Sequence, residues 1–162
     1  MSRFQVTFGA LVLAQAAHSI EEYFGHLWES FPPTRFITGL VSSNLERGFV
    51  ILNVLLLAFG AWCFLWPVRR GWPVAASLAW FWVVIEIING IGHPLWSLHE
   101  GGYTPGLATA PVLLALAVYL AHQLRRAPLH PLVEFASHTA LATLHSLRAG
   151  FRDMGAKLPL AP

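Results

Sequence analysis

Four apolar runs of similar length divide most of the chain. They extend over residues 4–28, 48–66, 72–92 and 103–124. A bilayer core of about 30 Å requires roughly 20 apolar residues in a helix, so each run is long enough to cross it once. The pattern therefore predicts an all-α integral membrane protein whose four transmembrane helices form a bundle.

Turn-forming and helix-capping residues separate these runs. The Phe-Pro-Pro segment 31–33 is expected to end the first helix, and the Ser-Ser-Asn segment 42–44 offers caps for the second. His-Pro at 93–94 predicts the end of the third helix, and Thr-Pro at 104–105 predicts the start of the fourth. Pro111 lies inside the fourth run, so we expect a kink near residues 107–111.

The composition supports a membrane protein and excludes several other classes. Hydrophobic residues make up 56% of the 162 residues and charged residues 11%, whereas a soluble domain carries roughly 25% charged residues. The formal net charge of +2 is too small to indicate a nucleic-acid surface. Cys63 is the single cysteine, so an intrachain disulfide is excluded.

Basic residues concentrate on one predicted side of the membrane. Four spans place the N-terminus, the turn at 67–72 and the C-terminus together, and that side carries Arg3, Arg69, Arg70, Arg125, Arg126, Arg148, Arg152 and Lys157. The opposite side carries only Arg35 and Arg47. The positive-inside rule then predicts that both termini are cytoplasmic and that the protein lies in the inner (plasma) membrane.

Both ends of the chain carry a further signal. Residues 131–151 have an amphipathic helical pattern, which divides the chain into a transmembrane domain at 1–127 and a cytoplasmic or interfacial tail at 128–162. At the other end, residues 1–16 also resemble a signal peptide with a small-residue cleavage site. The apolar face continues beyond residue 16 to Leu27, which favours one uncleaved helix.

Ionisable residues interrupt the first and third runs on one face of each helix. At about 100° per residue, Glu22 lies about 40° from His18, and His93 lies about 20° from Glu86. At 1.5 Å per residue, both pairs lie roughly 21–31 Å from the cytoplasmic helix ends. An ionisable group at the bilayer centre costs about 3 kcal/mol or more. We therefore expect these residues to share one site in the outer half of the bilayer.

The residue types in this stripe suggest metal chemistry. His18, Glu22 and His93 are the predicted ligands, because two histidines and one carboxylate suit zinc or non-haem iron. The predicted catalytic residues are Glu21, Glu86 and Asn89, with Glu21 serving either as a base or as a group that orients a ligand. The predicted substrate pocket comprises Asn53, Trp82, Tyr103, Thr109 and His26.

Several functions are compatible with these groups. The first is a metal-dependent enzyme that acts on a hydrophobic or lipid-like substrate drawn from membrane lipid. The same residues without a metal form an acid/base pair that can isomerise or cyclise a lipid-soluble substrate. A proton-linked carrier or small-molecule binding protein is the non-enzymatic alternative, and a carrier of this length requires a homodimer. Haem held between His18 and His93 is less suitable, because carboxylates lie beside both histidines.

Two motifs resemble a known family. His18, Glu21 and Glu22 form a His-x-x-Glu-Glu sequence, and Asn89 and His93 lie in the stretch NGIGHPLWSLHEGGYTPGLAT. In these motifs, residues 10–122 resemble the HXXEE-domain proteins, which are small bacterial multi-span membrane proteins. The resemblance implies that the polar site belongs to the four-helix core, but it implies no substrate, because no activity is assigned to that family.

Overall fold

The computed structural model describes residues 1–126, and its regular structure is helical. The helices are α1 (Arg3–Phe24), α2 (Leu27–Ser30), α3 (Pro32–Val41), α4 (Leu45–Cys63), α5 (Ala75–Glu100) and α6 (Ala110–Arg126). α4 continues directly into a π-helical turn over Phe64–Val68. No strand occurs in residues 1–126, so the all-α prediction is confirmed for this part of the chain. The predicted tail helix at 131–151 lies outside the described residues.

Local capping chemistry explains where α1 and α4 begin. The Ser2 hydroxyl accepts a hydrogen bond from the Gln5 amide, and the Gln5 side chain accepts one from the Ser2 backbone N–H. Asn44 caps α4 by accepting a hydrogen bond from the Arg47 amide at 2.8 Å. Such caps satisfy backbone N–H groups that have no partner within the helix. The predicted caps before the second run are therefore confirmed.

The first predicted helix ends earlier than expected. α1 stops at Phe24, and His26 then adopts a left-handed backbone conformation with φ of 54°. The Phe-Pro-Pro segment does not end this helix, because Pro32 and Pro33 instead form the first turn of α3. Proline is favourable there, since the first backbone N–H groups of a helix have no intrahelical acceptor.

The prediction that the third helix ends at Pro94 is wrong. α5 continues through Pro94 to Glu100 and is capped by Gly101, which has a left-handed φ of 69°. A proline inside a helix removes one backbone hydrogen bond, and the flanking turns on both sides remain bonded. The extra turns place Ser97 in contact with the hydroxyl of Thr104.

The predicted start of the fourth helix is also wrong. Residues 101–109 form a loop, and α6 begins at Ala110. Pro111 therefore lies in the first turn of α6, where its missing N–H breaks no helical hydrogen bond. The expected kink inside the fourth helix is consequently absent.

Two stretches of the described chain are long and apolar enough to cross a membrane. They are Leu45–Val68, with 24 residues, and Ala75–Glu100, with 26 residues, and they match the second and third predicted spans. α1 packs against α4 and α6, and α6 packs along α5. These contacts bring the polar faces of α1 and α5 together.

Apolar side chains fill one end of this helical assembly. The buried cluster contains Phe8, Leu11, Cys63, Val68, Ala75, Ala79, Trp82, Val83, Leu113, Ala117 and Leu120. Trp82 is fully buried in it, with its ring 6.5 Å from that of Phe8 and 6.2 Å from that of Phe59. The buried polar residues of α1 and α5 follow this cluster along each helix, so the apolar core and the polar site occupy successive levels.

α5 and α6 pack tightly at Gly90, and this contact generates a stability prediction. A Cβ atom at Gly90 would lie 2.6 Å from the Cβ of Leu114, whereas a Cβ at Gly92 would meet nothing within 4 Å. We expect Gly90→Ala to destabilise the protein by about 1–3 kcal/mol through overpacking. Gly92→Ala should leave stability unchanged or raise it by up to about 1 kcal/mol, because alanine favours a helix. Thermal unfolding in detergent measures both variants, and equal shifts would contradict the close packing.

Candidate functional site

The structure brings the three predicted ligands together. His18 and Glu22 lie one turn apart on α1, and His93 approaches them from α5. The Nε2 atoms of His18 and His93 each lie 3.3 Å from Oε1 of Glu22. One ligand atom from each residue falls within 4.8 Å of the others, and all three residues are buried. Two separate helices thus place three ligand-type atoms around one point.

The Nδ1 atom of His93 is held by the loop between α5 and α6. It lies 2.7 Å from the carbonyl oxygen of Pro105. A carbonyl oxygen only accepts hydrogen bonds, so this Nδ1 carries the proton. In the neutral ring, Nε2 is then left with a free lone pair that faces Glu22.

Thr109 fixes the ring of His18 in the same way. The Nδ1 atom of His18 lies 2.6 Å from the Thr109 hydroxyl oxygen, and that hydroxyl donates to Oε2 of Glu21 at 2.6 Å. Because the hydroxyl proton is directed to Glu21, the Thr109 oxygen accepts from Nδ1–H of His18. The buried Nε2 of His18 has no hydrogen-bond partner among the described residues.

The spacing of these atoms fits a small divalent cation. Atoms bonded to one ion at about 2.0–2.1 Å with tetrahedral angles lie about 3.3 Å apart, and two of the three separations here have that length. With both rings neutral, two nitrogen lone pairs and a carboxylate face one another without a proton between them. A bound cation would satisfy all three, and the hydrogen bonds at both Nδ1 atoms are typical of metal-binding histidines.

Glu21 faces away from the ligand group and binds the loop at 101–109. Its carboxylate accepts hydrogen bonds from the hydroxyls of Tyr103 and Thr109 and from the backbone N–H groups of Gly106, Ala108 and Thr109. The hydrogen bond to Glu21 raises the pKa of Tyr103, which lies in the loop, to about 12, so this donor keeps its proton at neutral pH. Of its two predicted roles, the geometry favours Glu21 as an orienting group, because five donors already occupy its oxygens.

Gly106 packs directly on the two imidazole rings. Its φ is +91°, and a Cβ there would lie 2.5 Å from Nδ1 of His93 and 2.9 Å from Cε1 of His18. Only glycine allows the backbone to approach the rings this closely. The periodicity of the helices did not identify Gly106 or Pro105, and the available signal was the Gly-Tyr-Thr-Pro-Gly sequence of the loop.

Glu86 belongs to a second polar group, two turns before His93 on α5. It is fully buried and accepts a hydrogen bond from the Asn89 amide at 3.3 Å. The amide group of Gln15 on α1 approaches its two oxygens at 3.1 and 2.9 Å. Gln15 also contacts the Ser19 hydroxyl at 3.2 Å, and Ser19 donates to Oδ1 of Asn53 on α4 at 2.7 Å. The predicted residues Glu86, Asn89 and Asn53 therefore lie in one chain that links three helices.

Counting donors and acceptors in this chain indicates the state of Glu86. If Glu86 is ionised, the Gln15 nitrogen must face it, and the single Ser19 proton is then required by both Gln15 and Asn53. If Glu86 carries a proton, it donates to the Gln15 oxygen, Gln15 donates to Ser19 and Ser19 donates to Asn53. The protonated form satisfies every link of the chain, which buried polar groups require.

The remaining predicted pocket residues are dispersed. Tyr103 and Thr109 lie in the loop that contacts Glu21. Trp82 lies in the apolar core, and the His26 side chain is 63% exposed and stacks on Trp28. The structure thus does not bring Trp82 or His26 to the ligand group.

The contacts of Glu21 generate a second stability prediction. Glu21→Gln places an NH₂ group where the carboxylate accepts backbone hydrogen bonds, so we expect a loss of about 2–3 kcal/mol of unfolding free energy. The matched control is Glu29→Gln, because the Glu29 side chain is 65% exposed and its one salt-bridge partner within residues 1–126 is His26, at 3.7 Å. Thermal unfolding of both variants tests this, and an equally small effect would contradict the loop-holding role.

Comparison with known proteins identifies the family. A family described as "Protein of unknown function with HXXEE motif" matches residues 9–120, which is more than two thirds of the chain. The match includes the His-x-x-Glu-Glu residues His18, Glu21 and Glu22 as well as His93. No curated protein and no solved structure matches the chain. The chain therefore belongs to the HXXEE family.

Proposed function

We propose that this protein is a membrane-embedded enzyme that binds one divalent metal ion and acts on a hydrophobic or lipid-like substrate. The proposed ligands are His18, Glu22 and His93. The observation that carries the proposal is the convergence of the two Nε2 atoms on one carboxylate oxygen of Glu22, each at 3.3 Å. Two histidines and one carboxylate suit zinc or non-haem iron and leave coordination positions open. A bound metal would supply Lewis acidity.

Two features support a location in the membrane. Leu45–Val68 and Ala75–Glu100 are long and apolar enough to span a bilayer, and charged residues make up only 11% of the chain. We propose that α1 and α6 complete a four-span bundle with cytoplasmic termini in the inner membrane. The distribution of basic residues supports this orientation, which puts the ligands in the outer half of the bilayer.

A cleft between α1 and α4 supports a lipid-like substrate. Its volume is about 430 Å³, and it is lined by apolar side chains of both helices together with Ser19 and Asn53. Apolar pockets with few polar groups are typical of sites that bind hydrophobic molecules. Ser19 directly follows the ligand His18 in the sequence, so a hydrocarbon chain in this cleft would lie along the helix that carries two of the ligands.

The remaining polar residues have proposed roles around the ligands. Thr109 and Pro105 hold the two rings so that each Nε2 faces Glu22, and Glu21 holds the loop that carries both. The loop backbone covers the Nδ1 side of the rings and excludes water from it. Asn89 lies one turn from His93 and donates to Glu86, which places it between the ligand group and a proton-carrying acid.

A proton on Glu86, which the hydrogen-bond chain with Gln15, Ser19 and Asn53 favours, supports a second candidate function. A buried carboxylic acid that keeps its proton can act as a general acid, with a neutral histidine as base. This combination suits a metal-free isomerase or cyclase of a lipid-soluble substrate. The two candidates differ in whether the folded protein binds a metal, so the metal content of the purified protein distinguishes them. A bound metal would also argue against a metal-free proton-linked carrier.

Metal analysis tests the first candidate. Protein purified without chelators should contain about one equivalent of zinc or iron by elemental analysis, and His18→Ala and His93→Ala should each lose it. The control is His99→Ala, because the His99 side chain is 85% exposed and lies outside the ligand group. Circular dichroism verifies that the variants remain helical. Absence of metal from folded wild-type protein, or its retention in both ligand variants, would refute the metal site.

Infrared spectroscopy tests the protonated state of Glu86. We expect the wild-type protein to show the carbonyl stretch of a protonated carboxylic acid at neutral pH, and Glu86→Gln should remove it. Glu100→Gln is the control, because Glu100 is exposed. A Glu86→Gln difference spectrum that shows only carboxylate bands would mean that Glu86 is ionised, and the general-acid role would fail.

A further inference from the structure

α3 exposes a large apolar surface that the rest of the described chain does not cover. Phe36, Ile37 and Leu40 are 69%, 50% and 72% exposed. Thr38 is 1% exposed, and a Cβ at Gly48 of α4 would lie 2.3 Å from its carbonyl oxygen. One side of α3 therefore packs against α4, and its apolar side is not covered by residues 1–126.

The residues of α3 are divided into opposite sides. At about 100° per residue, Leu40 lies about 60° from Ile37, whereas Arg35 and Gly39 lie about 160° from Ile37. Thr38 lies between these two sides. The contact of α3 with α4 at Thr38 therefore lies between an apolar side and a polar side of the helix. A helix that lies on a membrane surface has opposite apolar and polar sides of this kind.

Chain connectivity places α3 at one end of a candidate span. α3 ends at Val41, and α4 begins at Leu45. The three intervening residues reach about 11 Å at most when fully extended. If Leu45–Val68 spans the bilayer, its first residue lies at the surface, and α3 must lie there too. α4 also carries exposed apolar residues further along, such as Val54 and Leu55.

Two arginines at this level can bind phospholipid phosphates, whereas Glu46, also in the first turn of α4, accepts a hydrogen bond from the Tyr23 hydroxyl. Arg35 lies on the polar side of α3, and Arg47 lies in the first turn of α4; both are exposed. The salt bridges within residues 1–126 all involve histidine, so neither arginine is paired there. Guanidinium groups bind phosphate strongly, and arginine side chains extend from the edge of the apolar layer towards head groups.

We infer that α3 lies along the outward-facing (non-cytoplasmic) surface of the inner membrane. Ile37 and Leu40 then lie among the acyl chains, and Arg35 and Arg47 lie at phospholipid head groups. The inference rests on the proposed membrane location but does not depend on the metal. The bilayer fits this face better than a second copy of the chain, because a stable protein interface buries about 800 Å² per partner and α3 has only ten residues.

This position also locates the ligand group. α3 follows the outer end of α1 after a short connection through α2. His18 and Glu22 lie six and two residues before the end of α1, which corresponds to about 3–9 Å along the helix axis. The ligands therefore lie just beneath the surface that α3 marks, at the level of the polar end of a membrane lipid.

Depth-dependent fluorescence quenching tests this placement. The substitutions Ile37→Cys, Gly39→Cys, Leu40→Cys and Leu55→Cys are introduced one at a time into Cys63→Ala protein, which is labelled with bimane and reconstituted in phosphatidylcholine–phosphatidylglycerol vesicles. We expect labels at 37 and 40 to be quenched by shallow doxyl lipids and protected from iodide. The label at 39 is the control on the opposite side and should show the reverse, and the label at 55, on α4, reports whether that helix lies in lipid.

The outcomes separate the failure of this inference from that of the proposed function. Iodide quenching at 37 and 40 together with lipid quenching at 55 would overturn the placement of α3 and leave the membrane location intact. Iodide quenching at 55 as well would overturn the membrane location itself. Protection at 37 and 40 from both quenchers, with energy transfer between differently labelled copies, would show that a second copy covers α3 and would also overturn the inference. Removing metal should not alter the expected result.

Discussion

The hydrogen bonds of the Glu21 carboxylate organise the site. They hold the loop at 101–109 against α1, and that loop supplies both groups that orient the histidines, Thr109 for His18 and Pro105 for His93. A carboxylate that accepts several backbone N–H bonds is held in one position. The direction of each imidazole therefore depends on a residue that forms no hydrogen bond with either ring among the described residues. This explains why two adjacent glutamates have different surroundings, since Glu22 faces the rings and Glu21 faces the loop.

A second constraint is that polar groups inside an apolar helical assembly need partners. The chain meets it at most positions by separating levels, with an apolar cluster around Trp82 at one end and the polar site at the other; Nε1 of Trp82 has no hydrogen-bond partner within residues 1–126. Between them, Glu86, Gln15, Ser19 and Asn53 connect three helices through side-chain hydrogen bonds. An unpaired group at this depth would cost a large part of its desolvation energy. The chain of hydrogen bonds thus joins the helices and also favours the protonated form of Glu86.

Proline and glycine positions account for most differences between expectation and structure. In the sequence, Pro94 predicts the end of a helix and Pro111 predicts a kink inside one. In the structure, Pro94 lies inside α5 and Pro111 lies in the first turn of α6. The effect of a proline depends on which backbone carbonyl it leaves unpaired, and neighbouring residues decide whether the helix tolerates this. The sequence does not predict the short helix α3 for a related reason, because two consecutive prolines indicate the end of a helix, whereas Pro32 and Pro33 form the first turn of α3.

The sequence by itself determined the helical class and the faces on which the ligands lie, because the 3.6-residue period is a local property of the chain. It placed His18 and Glu22 on one side of α1 and His93 on the polar side of α5. Only the tertiary structure decided that these faces meet at 3.3 Å and which ring nitrogens are free. Those features depend on contacts such as that of His18 with Thr109, 91 residues apart. Contacts across that separation follow from the packing of α1, α5 and the loop, which no local periodicity encodes.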